Sequence, residues 1–149
     1  MTKPARSQAR SAARLAAVQA LYQRQMENTP IARLLDEFHQ HRLGQAIEDE
    51  QYADAETAFF DDLVGGTSAR GEEIDALVSE RLATGWSLAR LDKTMLQILR
   101  AGTYELLARP DVPVGTVISE YVDVAHAFFE PREAKFVNGV LDAVAKAVR

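Results

Sequence analysis

The 149-residue sequence predicts an all-α protein, about seven short helices in two small antiparallel bundles that share an apolar interface. Apolar residues recur at steps of three and four along most of the chain, and no segment alternates with the period of two that a half-buried strand requires. The Gly65-Gly66 pair, prolines and capping residues fall between the periodic stretches and cut them into helix-sized pieces. The result reads as one domain with an N-terminal helical half over about 1–70, a break near 70–86, and a C-terminal half over about 86–149.

The first helix is expected from near Ser7 to Met26, rich in alanine, with Leu15, Val18, Leu21, Tyr22 and Gln25 along one face. Thr29 then Pro30 is a cap followed by the residue best tolerated in a first turn, so a second helix starts there with Ile31, Leu34, Leu35 and Phe38 and fades near Gly44. A third carries Phe59, Phe60, Leu63 and Val64 and ends near Gly65-Gly66; a fourth follows Gly71 with Ile74, Leu77, Val78 and Leu82. TGWSLARLD is a connector, with Trp86 and Leu88 tucked beneath it. Asp92 caps a fifth helix whose apolar face is Met95, Leu96, Leu99, Gly102 and Leu106, and Gly102 marks a close helix approach. RPDVP breaks the chain, after which Val114, Val117, Ile118, Tyr121, Val122, Ala125 and Phe128 trace a sixth helix.

Pro131 opens the seventh, which contains KFVNGVLDAVAK over 135–146. Asn-Gly is a strong hairpin signal, because both residues tolerate the positive φ of a tight turn. Around it, however, Phe136, Val137, Val140, Leu141 and Val144 keep helical spacing, so the helix is the better reading. Gly139 then costs about 1 kcal/mol relative to alanine and needs another purpose.

Composition narrows the chemistry. There is no cysteine, which excludes disulfides, thiol catalysis and Cys-type zinc sites. No run approaches the roughly 18 apolar residues of a membrane span, and MTKPARSQAR lacks the apolar core of a secretory signal, so a cytoplasmic protein with no membrane role is expected. The net charge of −5 hides two poles: Lys3, Arg6, Arg10, Arg14 and Arg24 give residues 1–25 a charge of +5, leaving −10 for the rest. Nine acids lie between Asp36 and Asp62 against Arg42 alone. A nucleic acid would meet the first pole and avoid the second.

Catalytic motifs fail on inspection, and no enzyme and no cofactor is expected. Gly66 to Gly71 has the glycine spacing of a phosphate loop, but Glu72 stands where the lysine must be and no strand precedes it. His39 and His41, with Asp36 or Glu37 nearby, are two residues apart and so point to different helix faces, which suits solvent better than a metal. His126 has no acid four residues away, and Glu120 with Asp123 reads as an ordinary polar face. The arginines are different. Arg6, Arg10 and Arg14 step by four and stack on one stripe about 6 Å apart, comparable to successive phosphates of a strand. With no acid before Glu27 to pair with them, and with basic groups opposing the dipole at a helix start, they suggest a ligand rather than a solvated face.

RSAARLAAVQALYQ, LDKTMLQILRAGTYELL and DVPVGTVISEYVDVAHAFFEPREAKFVNGVLDAV together resemble the NusB family of transcription antitermination factors over nearly the whole chain, most specifically in AVQALYQ, YEL followed by DVP, and KFVNGVLD. Residues 27–60 match only in pattern. The resemblance implies an all-helical fold of two small bundles, binding of the single-stranded boxA element of ribosomal RNA leaders, and partnership with NusE, a small-subunit ribosomal protein, on RNA polymerase. Carried over by position, it implies RNA contact by Lys3, Arg6, Arg10, Arg14, Tyr22, Lys93, Arg132 and Phe136, and NusE contact by Asp92, Met95, Leu99 and Phe136. Here Ser11 and Ala12 dilute the family's arginine block, and Arg132 replaces a common acid. Tyr22 reads equally as a core residue with its hydroxyl at the rim. Asn138-Gly139 becomes the family's helical Asn-Gly, placed where glycine lets another helix come close. Two alternatives stay open: a protein-interaction scaffold without RNA, and a stand-alone relative of the RNA-binding domain of ribosomal RNA cytosine methyltransferases, although no strand-rich region or cofactor loop accompanies it. Monomer and homodimer are not distinguished.

Overall fold

A computed structural model describes residues 5–41 and 50–149, with side chains described over 6–40 and 56–149. Among these residues the chain is all-helical, with α1 (Ala5–Glu27), α2 (Ile31–His41), α3 (Glu50–Ala69), α4 (Gly71–Ser79), α5 (Lys93–Ala108), α6 (Val114–Phe128) and α7 (Pro131–Val148), plus one 3₁₀ turn over Leu88–Arg90. No helix among them is long and apolar enough to cross a membrane. The chain divides into two compact units between Gly66 and Thr67, inside the last turns of α3, so α4 belongs with the C-terminal helices.

In the N-terminal unit the buried face of α1 is mostly alanine (Ala9, Ala13, Ala16, Ala17, Ala20) with Val18 and Leu21 at its far end. Small side chains let a neighbouring backbone approach closely, and the bulk is supplied by Leu34 and Phe38 of α2 and Phe59, Phe60, Leu63 and Val64 of α3. The Phe38 and Phe60 rings stack with centroids 5.3 Å apart. Asn28 ends α1 at φ 58°, a left-handed conformation asparagine tolerates, and its N–H donates to the Arg24 carbonyl at 2.8 Å. The Gln23 amide donates to Glu37 at 3.1 Å and ties α1 to α2.

α3 runs through Gly65 and Gly66 instead of stopping at them. The glycines cost helix stability, but Leu63 and Val64 before them and Thr67 after them are buried, and that burial outweighs a propensity of about 1 kcal/mol per glycine.

In the C-terminal unit α5 packs against α4, α6 and α7 and is buried at nearly every position from Met95 to Leu106. Asp92 caps it, its carboxylate accepting from the N–H groups of Thr94 (2.8 Å) and Met95 (3.2 Å). Gly102 is the close approach expected: a Cβ there would lie 2.9 Å from a methyl carbon of Leu141 on α7 and 3.4 Å from the Tyr121 ring on α6. The buried Tyr121 hydroxyl donates to Glu105 at 2.9 Å, which satisfies a carboxylate inside the core. Arg100 and Asp75 pair through two bonds of 2.8 and 2.9 Å, joining α5 to α4. Arg149, following α7, donates to the carbonyls of Leu106 (2.9 Å), Val112 (2.6 Å) and Arg109 (2.7 Å), closing the end of α5.

Two expectations are corrected here. Trp86 is not tucked under the connector: it is 53% exposed, with the Arg90 guanidinium over its ring at 5.5 Å. Asn138 and Gly139 lie mid-helix in α7 as expected, but they face outward and a Cβ on Gly139 would meet nothing within 4 Å. The close contact belongs to Gly102; the buried stripe of α7 is Ala134, Val137, Val140, Leu141, Val144 and Ala145, and Gly139 lies off it.

Candidate nucleic-acid interface

The arginine stripe of α1 separates into three environments along two turns. Arg6 is exposed, Arg10 is half-buried, and Arg14 is 1% exposed. The cause is Phe59 of α3. Its ring, buried in the same unit, has the Arg10 guanidinium over it at 4.9 Å and the Arg14 guanidinium at 5.1 Å. A guanidinium over an aromatic face is attracted by the ring quadrupole by about 0.5–1 kcal/mol at exposed sites and about 2 kcal/mol when desolvated, so the inner arginine gains more than the outer. The expectation of three equivalent phosphate contacts is therefore corrected for Arg14, whose charge is enclosed within the unit. Arg6 and part of Arg10 remain at the surface.

Tyr22 lies three turns beyond Arg10 on α1, about 18 Å along the axis, and is exposed. It is a surface residue and not a core one. Lys3 and the side chain of His41 lie outside the described residues. His39 bonds Asp61 of α3 and is tied up in that pair, and no group of three or more metal-ligating side chains occurs among the described residues.

In the C-terminal unit Lys93 is exposed at the first position of α5. Arg132, with its side chain 92% exposed, is 3.6 Å from Glu133 at the start of α7. Phe136, one turn on, is half-buried and presents part of its ring. The expected NusE contacts divide. Asp92 is exposed, although one oxygen is committed to its cap. Met95 and Leu99 are buried in the core on the apolar face of α5, so neither can meet a partner without unpacking the unit; that expectation is corrected. α7 also carries an outward groove of about 290 Å³ shared with α6, lined by Val122, His126, Pro131, Ala134, Lys135 and Asn138.

Sequence reasoning missed Phe59 as part of the arginine site, because an apolar residue on an α3 face reads only as core. The one difference in sequence is bulk: Arg14 is followed four and seven residues on by the buried Val18 and Leu21, Arg6 by Arg10 and Ala13.

Residues 11–146 match the family model described as the NusB family. The transcription antitermination protein NusB of Novosphingobium aromaticivorans is 75% identical over 141 residues, covering 95% of each chain. Among solved structures, NusB of T. maritima superposes with a TM-score of 0.75 at 31% identity, covering 98% of this chain and 93% of that one. A crystal structure of the antitermination factors NusB and NusE in complex with dsRNA contains a chain that superposes with a TM-score of 0.73 at 27% identity, covering 94% of this chain and 98% of that one.

Proposed function

The chain belongs to the NusB family, a non-catalytic family of transcription antitermination factors, and on that premise we propose that it binds a boxA-type single-stranded RNA together with NusE and joins both to transcribing RNA polymerase in the cytoplasm. The observation that carries this reading is the match over nearly the whole chain to a protein solved with NusE and RNA. The exposed Arg6 of α1 supports it independently, since a cation there opposes the dipole of its own helix. On the N-terminal unit Arg6 and Arg10 neutralise phosphates and Tyr22 offers a face for stacking; on the C-terminal unit Lys93 and Arg132 supply backbone contacts of their own and the open part of Phe136 a second face. NusE docks on the C-terminal unit, at the exposed Asp92 and at the open part of Phe136. The function is assembly and needs no reacting group.

A protein of net charge −5 with so few available cations attracts RNA weakly by itself. NusE therefore extends the RNA surface, and the pair binds more tightly than either component. Titrating boxA-type RNA into the protein with and without NusE tests this by calorimetry. Linkage requires that the factor by which NusE strengthens RNA binding equal the factor by which RNA strengthens NusE binding, with typical couplings of about 1–3 kcal/mol. Equal RNA affinity in both titrations would reduce the protein to a passive bridge. No RNA binding in either would leave the scaffold reading, and a size measurement of the free protein would show whether a homodimer masks α1.

A further inference from the structure

We propose that Phe59 is a positioning residue for RNA: its ring uses the buried Arg14 as a fixed partner on α1 and holds the Arg10 guanidinium in place for a phosphate. This deepens the RNA reading above and rests on it. The geometry has three parts. Two guanidiniums from consecutive turns of one helix lie over a single ring, at 4.9 and 5.1 Å from its centre. Phe59 itself is only 4% exposed, on the buried part of α3 that also carries Phe60, Leu63 and Val64. Arg14 is enclosed, which fixes the rotation of α1 about its axis at that turn, while Arg10, one turn outward over the same ring, is half-buried with part of its surface open.

A free arginine side chain loses rotamer freedom when it binds a phosphate, and one already held over a ring has lost much of it in the free protein. The planar fork is the group that makes paired bonds to phosphate oxygens, so fixing its plane also fixes the direction from which a strand can approach. Arg6, one turn further out, has no such ring contact among the described residues and follows the strand instead of setting its register. Phe59 does not touch the ligand and acts only through Arg10.

A double-mutant cycle on the full-length protein tests it, with a boxA-type RNA oligonucleotide as probe, fluorescence anisotropy as readout and thermal unfolding recorded for each variant. Phe59→Leu, which keeps an apolar side chain and removes the ring, is expected to weaken RNA binding about two- to fivefold, the size of one partly exposed cation–π contact. In an Arg10→Ala background the same change is expected to have no further effect, whereas a purely structural loss weakens both backgrounds alike and overturns the proposal. Phe59→Trp, which retains an aromatic face, is expected to keep parental affinity. If Phe59→Leu unfolds, NMR of the parental protein decides: the Arg10 and Arg14 Nε–H resonances must show ring-current shifts and slowed exchange without RNA, and Arg10 resonances at free-arginine positions would overturn the proposal. Failure of the wider reading looks different. Arg10→Ala leaving both affinity and salt slope unchanged removes α1 from the RNA site altogether, and Phe59 with it, whereas an Arg10→Ala defect without a Phe59→Leu defect removes Phe59 alone.

Discussion

At the start of α1, Arg6 stands in the turn where a helix carries partial positive charge, while Arg149 reaches the carbonyl end of α5, where the partial charge is negative. The two cations are chemically the same, and their surroundings assign them opposite duties. Arg149 completes hydrogen bonds that α5 and the following turn leave open, so the fold alone accounts for it. Arg6 is exposed at the end of α1 where a cation opposes the helix dipole. Arg14 is a third case, in line with Arg6 by sequence spacing yet enclosed against Phe59. Spacing of charge along a helix thus states what can line up, and packing decides which of the aligned groups faces a ligand.

The largest effect is expected of Arg14→Ala. It opens a cavity beside Phe59 and strands the groups that satisfy an enclosed cation, so urea unfolding should show a loss of about 3 kcal/mol. Arg14→Met should recover part of that, because it restores the packed volume. Parental stability of Arg14→Ala would mean that the residue belongs with Arg6. Next in size is Arg149→Ala, which removes charge-assisted bonds to several carbonyls in a partly solvated setting, and thermal melts should report about 1–2 kcal/mol lost with RNA affinity unchanged.

Gly139→Ala comes third and has the opposite sign. The site is open helical surface, so the substitution should raise stability by up to about 1 kcal/mol, read as a shift in urea midpoint without a change in slope. Destabilisation would show that the outward face of α7 is packed after all. The smallest stability effect belongs to Arg6→Ala, within a few tenths of a kcal/mol of the parent. Its RNA titration should flatten by roughly 0.7 in log affinity against log salt, the value for one lost single-strand phosphate contact. An unchanged slope would make Arg6 an ordinary solvated residue.

The helical registers were legible in the sequence because burial follows the same three-and-four spacing that sequence displays: every residue assigned to the apolar face of α5 is buried, and Gly102 meets Leu141 as a close approach should. That success carried its own warning. Met95 and Leu99 belong to that face and are core for the same reason, so assigning them to a partner surface by resemblance set aside what their spacing already said. Gly65-Gly66 misled because a breaker's cost is local and small, while the burial on either side of it depends on helices far away in sequence. The pairing of Arg14 with Phe59 was illegible for the same reason: it joins residues 45 positions apart across two helices, and nothing in either segment alone announces the other.

Trp86 is the only tryptophan in the chain, and it sits half-exposed on the segment between α4 and α5, just before the Asp92 cap. Its fluorescence therefore belongs to one known place. Excitation at the red edge of protein absorbance should give a long-wavelength emission open to quenching by acrylamide, with no second emitter to subtract. A ligand seated near Asp92 and Lys93 would shield the indole and shift the emission to the blue, so a single unlabelled sample reports occupancy of that end of the C-terminal unit in real time.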